Sequence, residues 1–416
     1  MRTRITPRGI AKGIAAANVF LVVALASPAG ADVITDWNQT AIAAMKAASI
    51  TGNPWTRNMA MMHVAMSDAV NSVQNKYVLY VPGGMAAPNA SAEAAAAAAA
   101  RNILMQQVPA QKALIEQAFE ASTKDIADGA AKKDGIALGE KCAAAIIADR
   151  SSDGTSVPDT YRPLTTPGVW IPTTPPIFAE YARAKPWVMK SADQVRPPPP
   201  PDLKSERYAR DYNETKEIGS AKSNKRTAEQ IAAVKFWTQL NFNPAWQEVA
   251  RQLSAEKKLS LADNARLFAL LNMGIANTFI SDWDAKFTYN FWRPVTAIRN
   301  GDRDGNDATE RDASWTAFNA NPAHPEYPSQ AGIIAGVAIG ILEAAFGPRP
   351  ATAVVVTDLI DAKLQRRYGN AQQVADETME VRLWGGIHFR NSLEVGYDMG
   401  RKIADYLVEN ALKPTS

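Results

Sequence analysis

The sequence predicts an all-α fold of packed helical bundles, and three observations carry this prediction. Apolar residues recur at helical spacing from Asp32 to the C-terminal end. Capping patterns precede several of these segments, as in Thr227-Ala-Glu-Gln230 and Ser260-Leu-Ala-Asp263. Few stretches show the two-residue alternation of a half-buried strand. Helices with one apolar face bury it most simply against other helices, which favours bundles.

The apolar periodicity of the N-terminal region predicts five helices before residue 150. The expected ranges are 35–48, 57–73, 91–107, 111–119 and 130–148. The second of these contains His63 among apolar neighbours, and we interpret it as a structural histidine. The fifth contains the single cysteine, Cys142, which we interpret as a small core residue because Ala and Ile surround it.

Residues 151–202 change character, because prolines recur too often for a continuous helix. Aromatic residues such as Trp170 and Trp187 predict that this segment packs over the helices. We therefore divide the chain into an N-terminal helical region (32–150), a proline-rich crossing segment (151–202) and a C-terminal helical domain (203–416). The helices expected in that domain cover 205–219, 227–240, a long stretch from 260 to 286, 330–346, 374–383 and 391–412.

Residues 1–31 resemble a secretory signal: a basic start, an apolar run from Ile14 to Ala26, and the small residues Ala29-Gly30-Ala31. The sequence therefore predicts export to the periplasm or the medium. No later stretch is apolar enough to span a membrane. The formal net charge of +3 argues against a nucleic-acid partner, so any positive field must be local. A homo-oligomer is left open.

Cationic side chains with a helix start between them are concentrated between residues 286 and 388. Lys286 and Arg293 lie seven residues apart, which on one helix would place both on the same face. Ser329 precedes an apolar run, so we expect a helix N-cap followed by free backbone N–H groups. Arg382 and His388 flank a Gly-Gly turn. Such a set of donors suits a tetrahedral oxyanion.

At these residues the chain resembles the superfamily of vanadium-dependent haloperoxidases and type 2 phosphatidic acid phosphatases, whose signature is K-x6-R-P, then P-S-G-H, then S-R-x5-H-x3-D. Lys286, Arg293 and Pro294 complete the first part. Pro328, Ser329, Arg382 and His388 match in the other two. Four positions depart from the signature, namely Gln330 for glycine, Ala331 for histidine, Val381 for serine and Ser392 for a frequent aspartate.

The resemblance implies that vanadate is the cofactor and that His388 is its ligand, or the nucleophile if the protein is a phosphatase. It also implies that oxyanion oxygens are held by Lys286, Arg293, Arg382, Ser329 and the Gln330 backbone N–H. The missing histidine would be the general acid–base, so Ala331 predicts weak turnover unless His324 or Glu326 replaces it. The Gln330 side chain must point away from the anion or fill its pocket.

Three functions follow from this resemblance. The first is a haloperoxidase that oxidises halide with hydrogen peroxide, favoured by the exported chain. The second is a phosphatase acting on a phosphate ester. The third is a non-catalytic oxyanion-binding protein, which the loss at Ala331 makes credible.

Overall fold

The computed structural model describes residues 32–158, 160–172, 174–238 and 242–415, so the predicted signal segment 1–31 lies outside the described residues. The predicted all-α fold is confirmed, because helices dominate this part of the chain. The N-terminal helices are α1 (Val33–Ala47), α2 (Gly52–Gln74), α3 (Ala92–Gln107), α4 (Lys112–Thr123) and α5 (Ala130–Asp149). The C-terminal helices are α6 (Glu206–Ile218), α7 (Ala228–Thr238), α8 (Phe242–Lys257), α9 (Leu261–Tyr289), α10 (Pro294–Arg299), α11 (Gln330–Phe346), α12 (Ala371–Trp384) and α13 (Arg390–Asn410). Among the described helices, none combines the length and apolarity needed to cross a bilayer.

Small residues bring the N-terminal helices close together. The alanines at 94–100 of α3 are buried, and α3 packs against both α2 and α5. A Cβ on Gly139 of α5 would lie 2.1 Å from the carbonyl oxygen of Ala95, so only glycine permits this approach. The alanine run is therefore a packing surface as well as a helix-forming sequence.

The long helix α9 carries the site. The Ser260 hydroxyl accepts a hydrogen bond from the Asp263 N–H at 3.3 Å and caps the helix, as the sequence predicts. Most of the side chains that follow are buried, and the helix packs against α2 and α11. This packing holds Lys286, in the last turn, in the protein interior. The helix ends at Asn290, which is left-handed with φ of 48°.

The prediction that Lys286 and Arg293 share one helix face is wrong. The left-handed Asn290 stops α9, and Arg293 is extended because it precedes Pro294, the first residue of α10. A connection between two helices therefore places Arg293, rather than two turns of one helix.

Helices α8 and α10 were not predicted. The third element that was not predicted is an antiparallel hairpin of β1 (Val354–Thr357) and β2 (Gln365–Tyr368), with Val354 opposite Tyr368. The β-branched run Val354-Val-Val-Thr357 is a signal that would have indicated the first strand.

The proline-rich segment lies against the helices, as expected. Trp170 and Trp187 are buried, and Asn277 of α9 binds both the N–H and the carbonyl of Trp187 at 2.7 and 2.8 Å. The division at 150 and 202 stays a prediction. One buried cluster of side chains includes residues from both sides of this segment.

Candidate oxyanion site

Arg293 is the centre of the candidate site. Its side chain is 1% exposed, and each of its N–H groups faces a protein acceptor. These acceptors are the carbonyl oxygens of His324 (3.1 Å), Pro325 (3.2 Å) and Ile387 (2.8 Å), together with His324 Nδ1 (3.1 Å) and His388 Nε2 (3.2 Å). Burial lowers the pKa of Arg293 to about 10, so it is still a cation at neutral pH. Arg293 therefore ties two distant segments to the end of α9.

Lys286 fixes the chain just before α11. Its Nζ is fully buried and donates to the carbonyl oxygens of Glu326, at 3.0 Å, and Pro328. The Asp282 carboxylate, one turn earlier on α9, lies 3.5 Å away. Burial lowers the pKa of Lys286 to about 8, with the negative charge of Asp282 opposing the shift. Like Arg293, Lys286 supplies positive charge and also fixes the position of a backbone segment through its hydrogen bonds to carbonyl oxygens.

His388 is oriented by a carboxylate that the linear motif did not reveal. Glu326 Oε1 accepts from His388 Nδ1 at 2.8 Å and from the Phe389 N–H at 2.9 Å, while Oε2 accepts from the Ser392 hydroxyl at 2.6 Å. A carboxylate with these donors keeps the imidazole proton on Nδ1, which leaves a lone pair on Nε2. Burial and then the charges of Arg293 and Lys286 hold the pKa of His388 well below its ordinary value, so the ring is neutral.

Glu326 thus lies behind His388 and also contacts Ser392, the position at which the resembled signature often has an aspartate. Ser392 donates to this carboxylate instead of supplying one. Burial raises the pKa of Glu326, and the charge of Arg293 and the bond from Ser392 oppose that rise. No local spacing could have found this pair, because 62 residues separate its members.

Ser329 occupies the predicted N-cap position of α11, but its hydroxyl does not cap the helix. Its Oγ is buried and has no hydrogen-bond partner among the described residues. The next side chain, Gln330, donates from Nε2 to Asp282 Oδ2 at 3.3 Å. Ala331 follows, only 5% exposed. The helix start therefore presents an unpartnered hydroxyl together with its backbone N–H groups.

Arg382, in the last turn of α12, is the cation of this site whose side chain makes no hydrogen bond to another side chain or to backbone in the described residues. Its guanidinium lies 4.3 Å from the ring centre of Phe242, and its Nε is buried without a partner. Burial and the charge of Arg293 lower its pKa to about 10. Arg382, Gln330, Ala331 and Ile387 all line one cavity of about 570 Å³.

His324 does not line this cavity, and neither Ser329 nor His388 lines it. His324 Nδ1 lies beside Arg293, and the His324 ring centre is 5.0 Å from that of Trp283. Burial and neighbouring cations keep the pKa of His324 well below its ordinary value. His324 Nδ1 and Glu326 therefore already have protein partners, and Ala331 offers only a methyl group to the cavity.

The arrangement suits an oxyanion with a central atom open to a nitrogen ligand. Ser329 Oγ and Arg382 Nε are buried donors that lack partners among the described residues, and such groups are costly unless something binds them. His388 Nε2 carries the lone pair that a metal or a phosphorus atom requires, and in this structure that lone pair faces Arg293 Nη1 at 3.2 Å. Two carboxylates, Asp282 and Glu326, offset part of the charge of the three cations.

Comparisons with known proteins point in the same direction. Residues 266–415 match the family model of the VCPO second helical-bundle domain. A stretch of 81 residues is 35% identical to the vanadium chloroperoxidase of Curvularia inaequalis, but covers only 18% of this chain and 13% of that protein's length.

The similarity to solved structures extends over most of the chain. A bacterial vanadium-dependent iodoperoxidase superposes with a TM-score of 0.76 at 22% identity, covering 92% of this chain and 97% of the other. An apo-type bacterial vanadium-dependent chloroperoxidase gives 0.69 at 16% identity, with 86% and 92% covered. The holo-type form gives 0.66 at 16% identity, with 92% and 94% covered.

Proposed function

We propose that the chain is a relative of the vanadium haloperoxidases that binds vanadate and oxidises halide with hydrogen peroxide. We also propose that it is exported, as residues 1–31 predict, and that its partners are small molecules: peroxide, halide and the oxyanion. The cofactor would be held by His388, Arg382, Ser329 and the backbone N–H of Gln330, with Lys286 and Arg293 supplying positive charge behind them.

One observation carries the proposal. The Glu326–His388 hydrogen bond of 2.8 Å fixes a neutral imidazole with its lone pair on Nε2, in a site that also contains an unpartnered arginine and serine. A structural histidine needs neither a buried carboxylate nor three cations within reach. A ligand to vanadium needs a fixed tautomer, and its oxyanion needs the donors.

The residues of this chain would act by holding charge and orientation. Vanadate, when bound, would activate hydrogen peroxide toward a halide. Glu326 would keep the Nδ1 proton in place, so that His388 stays a neutral donor at every pH above its lowered pKa. Arg382 and the α11 N-terminus would stabilise the negative charge of the oxyanion with donors that are already in place. Lys286 and Arg293 would keep the segment 324–328 in position.

Proton transfer is the weak step of this site. A positioned general acid–base typically supplies ~10²–10⁴-fold in rate. Ala331 cannot exchange a proton, and His324 and Glu326 face other partners. We therefore propose that turnover of the native protein is slow although its oxyanion affinity is high.

A phosphate-ester hydrolase is the second candidate, because the same fixed Nε2 lone pair serves as a nucleophile toward phosphorus. The leaving group would again have no proton donor at position 331, because Ala331 carries only a methyl group. The third candidate, an oxyanion-binding protein without catalysis, is favoured by Ala331 alone. All three share one anion site, so vanadate and phosphate should compete for it.

The deciding experiment titrates the purified protein with vanadate, with phosphate as competitor, and then measures bromination with peroxide and hydrolysis of p-nitrophenyl phosphate. Vanadate-dependent bromination supports the haloperoxidase. Hydrolysis without vanadate supports the phosphatase, and tight binding with neither activity supports the binding protein. If the protein bound neither vanadate nor phosphate, all three candidate functions would be excluded.

Variants of the cations locate the site within this experiment. Lys286→Ala or Arg293→Ala should weaken vanadate and phosphate binding by roughly two to four decades, since each leaves buried groups uncompensated. Arg382→Ala should cost about 10- to 100-fold in anion affinity with a smaller loss of stability than Lys286→Ala or Arg293→Ala, because the Arg382 Nε has no partner in the described residues. Arg401→Ala is the matched control, an arginine whose partner is Glu343, outside the site.

A further inference from the structure

Asp282 is a buried carboxyl group that the proposed chemistry does not yet use. It is fully buried on α9, one turn before Lys286. Its Oδ2 accepts from Gln330 Nε2 at 3.3 Å. Its Oδ1 has no hydrogen-bond partner among the described residues and forms only a 3.5 Å ion pair with Lys286 Nζ.

This carboxyl group lies beside the start of α11. Lys286, which pairs with it, donates to the Pro328 carbonyl directly before Ser329, and Gln330, which also pairs with it, is the first residue of the helix. The unpartnered Ser329 hydroxyl belongs to the same helix start. An anion bound there would have an acceptor oxygen among its neighbours as well as donors.

A carboxylate in an anion site repels any ligand that carries only bare oxygens. The repulsion becomes an attraction when a ligand oxygen carries a proton, because that O–H can donate to the unpartnered carboxylate oxygen. Phosphate and vanadate keep at least one proton near neutral pH, whereas sulfate keeps none. The two kinds of tetrahedral anion have similar size, so the proton is the main difference that the site can use.

We propose that Asp282 makes this site selective for oxyanions that carry a proton, such as phosphate and vanadate, over fully ionised oxyanions such as sulfate. This inference rests on the proposed oxyanion site and adds its ligand specificity. One proton is shared between the Asp282 carboxylate and the ligand. Sulfate binds only when Asp282 itself takes up that proton from solution.

The groups around Asp282 give this selectivity a pH dependence. Lys286 on α9, Arg293 before α10 and Gln330 on α11 all favour the charged carboxylate, while burial disfavours it more strongly and raises its pKa to about 7. Glu326, on the segment before α11, acts on Lys286 from the other side. Sulfate affinity should therefore fall about tenfold per pH unit above that pKa, since binding takes up one proton. Phosphate already brings the proton, so its affinity should change little over the same range.

Calorimetric titration of the full-length mature protein with inorganic phosphate and with sulfate, from slightly acid to alkaline pH, tests this inference. At alkaline pH the native protein should prefer phosphate by on the order of 10²-fold or more, because sulfate leaves a buried carboxylate facing an anion without a proton between them. Asp282→Asn provides an amide that can donate. Its sulfate affinity should rise at least tenfold at alkaline pH and lose its pH dependence, while phosphate affinity should fall.

Asp284→Asn is the matched control, because it makes the same change two residues along α9 in an aspartate that pairs with Arg196. It should keep the native preference. Equal native affinity for phosphate and sulfate at alkaline pH, or an unchanged ratio in a folded Asp282→Asn protein, would overturn the inference and leave the oxyanion site intact. Failure of the native protein to bind either anion would overturn the site itself. If Asp282→Asn does not fold, the native pH series alone decides.

Discussion

His63 and His388 are both buried histidines, yet their surroundings differ in kind. His63, on α2, contacts the side-chain amide of Asn38 at 2.9 Å and stacks on Phe268 with ring centres 5.3 Å apart. His388 faces the carboxylate of Glu326 and the guanidinium of Arg293. Burial is the first cause of a lowered pKa in both residues. Burial therefore does not distinguish a candidate ligand from a structural residue.

The partners make the distinction. Around His63 the network continues through Asn38, Gln247 and Asn272, whose neutral amides bind one another at 2.8 to 3.1 Å. The Arg251 guanidinium donates to Asn38 Oδ1 at the edge of this network, and among the network's members His63 Nδ1 lacks a partner in the described residues. Around His388 charged groups of both signs converge, and a hydroxyl and a guanidinium nitrogen lack partners there. Unbalanced charge and unpartnered donors indicate a ligand site, whereas a nearly closed amide network indicates packing.

The largest effect should come from His388→Ala. Removal of the imidazole takes away the only neutral nitrogen donor in the proposed site, so vanadate-dependent bromination should fall to background and any phosphatase activity should be lost with it. The measurement is turnover at saturating vanadate or substrate. A variant with full activity would show that His388 is structural, and the contrast with His63 would fail.

The next largest effect should be an increase in turnover. The double change Gln330→Gly and Ala331→His should restore a proton-transfer group and raise turnover by ~10²–10⁴-fold, equivalent to roughly 3–5 kcal/mol of barrier. Vanadate affinity should move far less, because the cations are unchanged. Bromination and p-nitrophenyl phosphate hydrolysis are measured on both proteins. A native rate as high as that of the double variant would mean that another group already supplies the proton.

A smaller loss should follow from Glu326→Gln, which keeps an acceptor for His388 Nδ1 but removes the charge that fixes the tautomer. Replacement of such an orienting partner typically costs 10- to 100-fold in affinity or activity. Adding Ser392→Asp should restore part of the loss, since Ser392 already contacts this carboxylate at 2.6 Å. Vanadate titration measures the affinity of both variants. Rescue would identify the carboxylate as a positioning group, and equal binding by all proteins would exclude that role.

The smallest effect on the site should come from His63→Gln, which should leave vanadate affinity and turnover unchanged. It should cost about 1–3 kcal/mol of stability through a less well-made hydrogen bond. A change in anion affinity greater than the loss of folded protein explains would contradict the structural role of His63.

The pH dependence of unfolding sharpens this last case. Burial lowers the pKa of His63 to about 3 from its ordinary value of 6.5, so the unfolded chain binds a proton that the folded chain does not. This contribution to stability is present above the unfolded pKa and is lost as the pH falls toward the folded one. The native protein should therefore lose stability below about pH 6.5, and His63→Gln should lose less over the same range. Chemical unfolding at a series of pH values measures the difference.

Much of the fold could be predicted from local sequence. Ser260 and Thr227 are found at the helix starts that their capping patterns indicate, and α11 runs from Gln330 to Phe346 as expected. Each of these signals involves residues within one helical turn, so it survives whatever the rest of the chain does. The hairpin was missed although its β-branched run was visible. The position of Arg293 was mispredicted because a left-handed Asn290 intervenes.

The sequence by itself determined which groups the site contains: three cations, a histidine, a helix start after Ser329, and the absence of a histidine at 331. Only the tertiary structure decided how these groups are used. It placed Glu326 behind His388, Asp282 beside Lys286, and five protein acceptors around Arg293. The physical reason is the separation along the chain between the residues that interact. Capping and periodicity depend on neighbours a few residues away, whereas the pairing of buried charges depends on where packing brings segments many residues apart together.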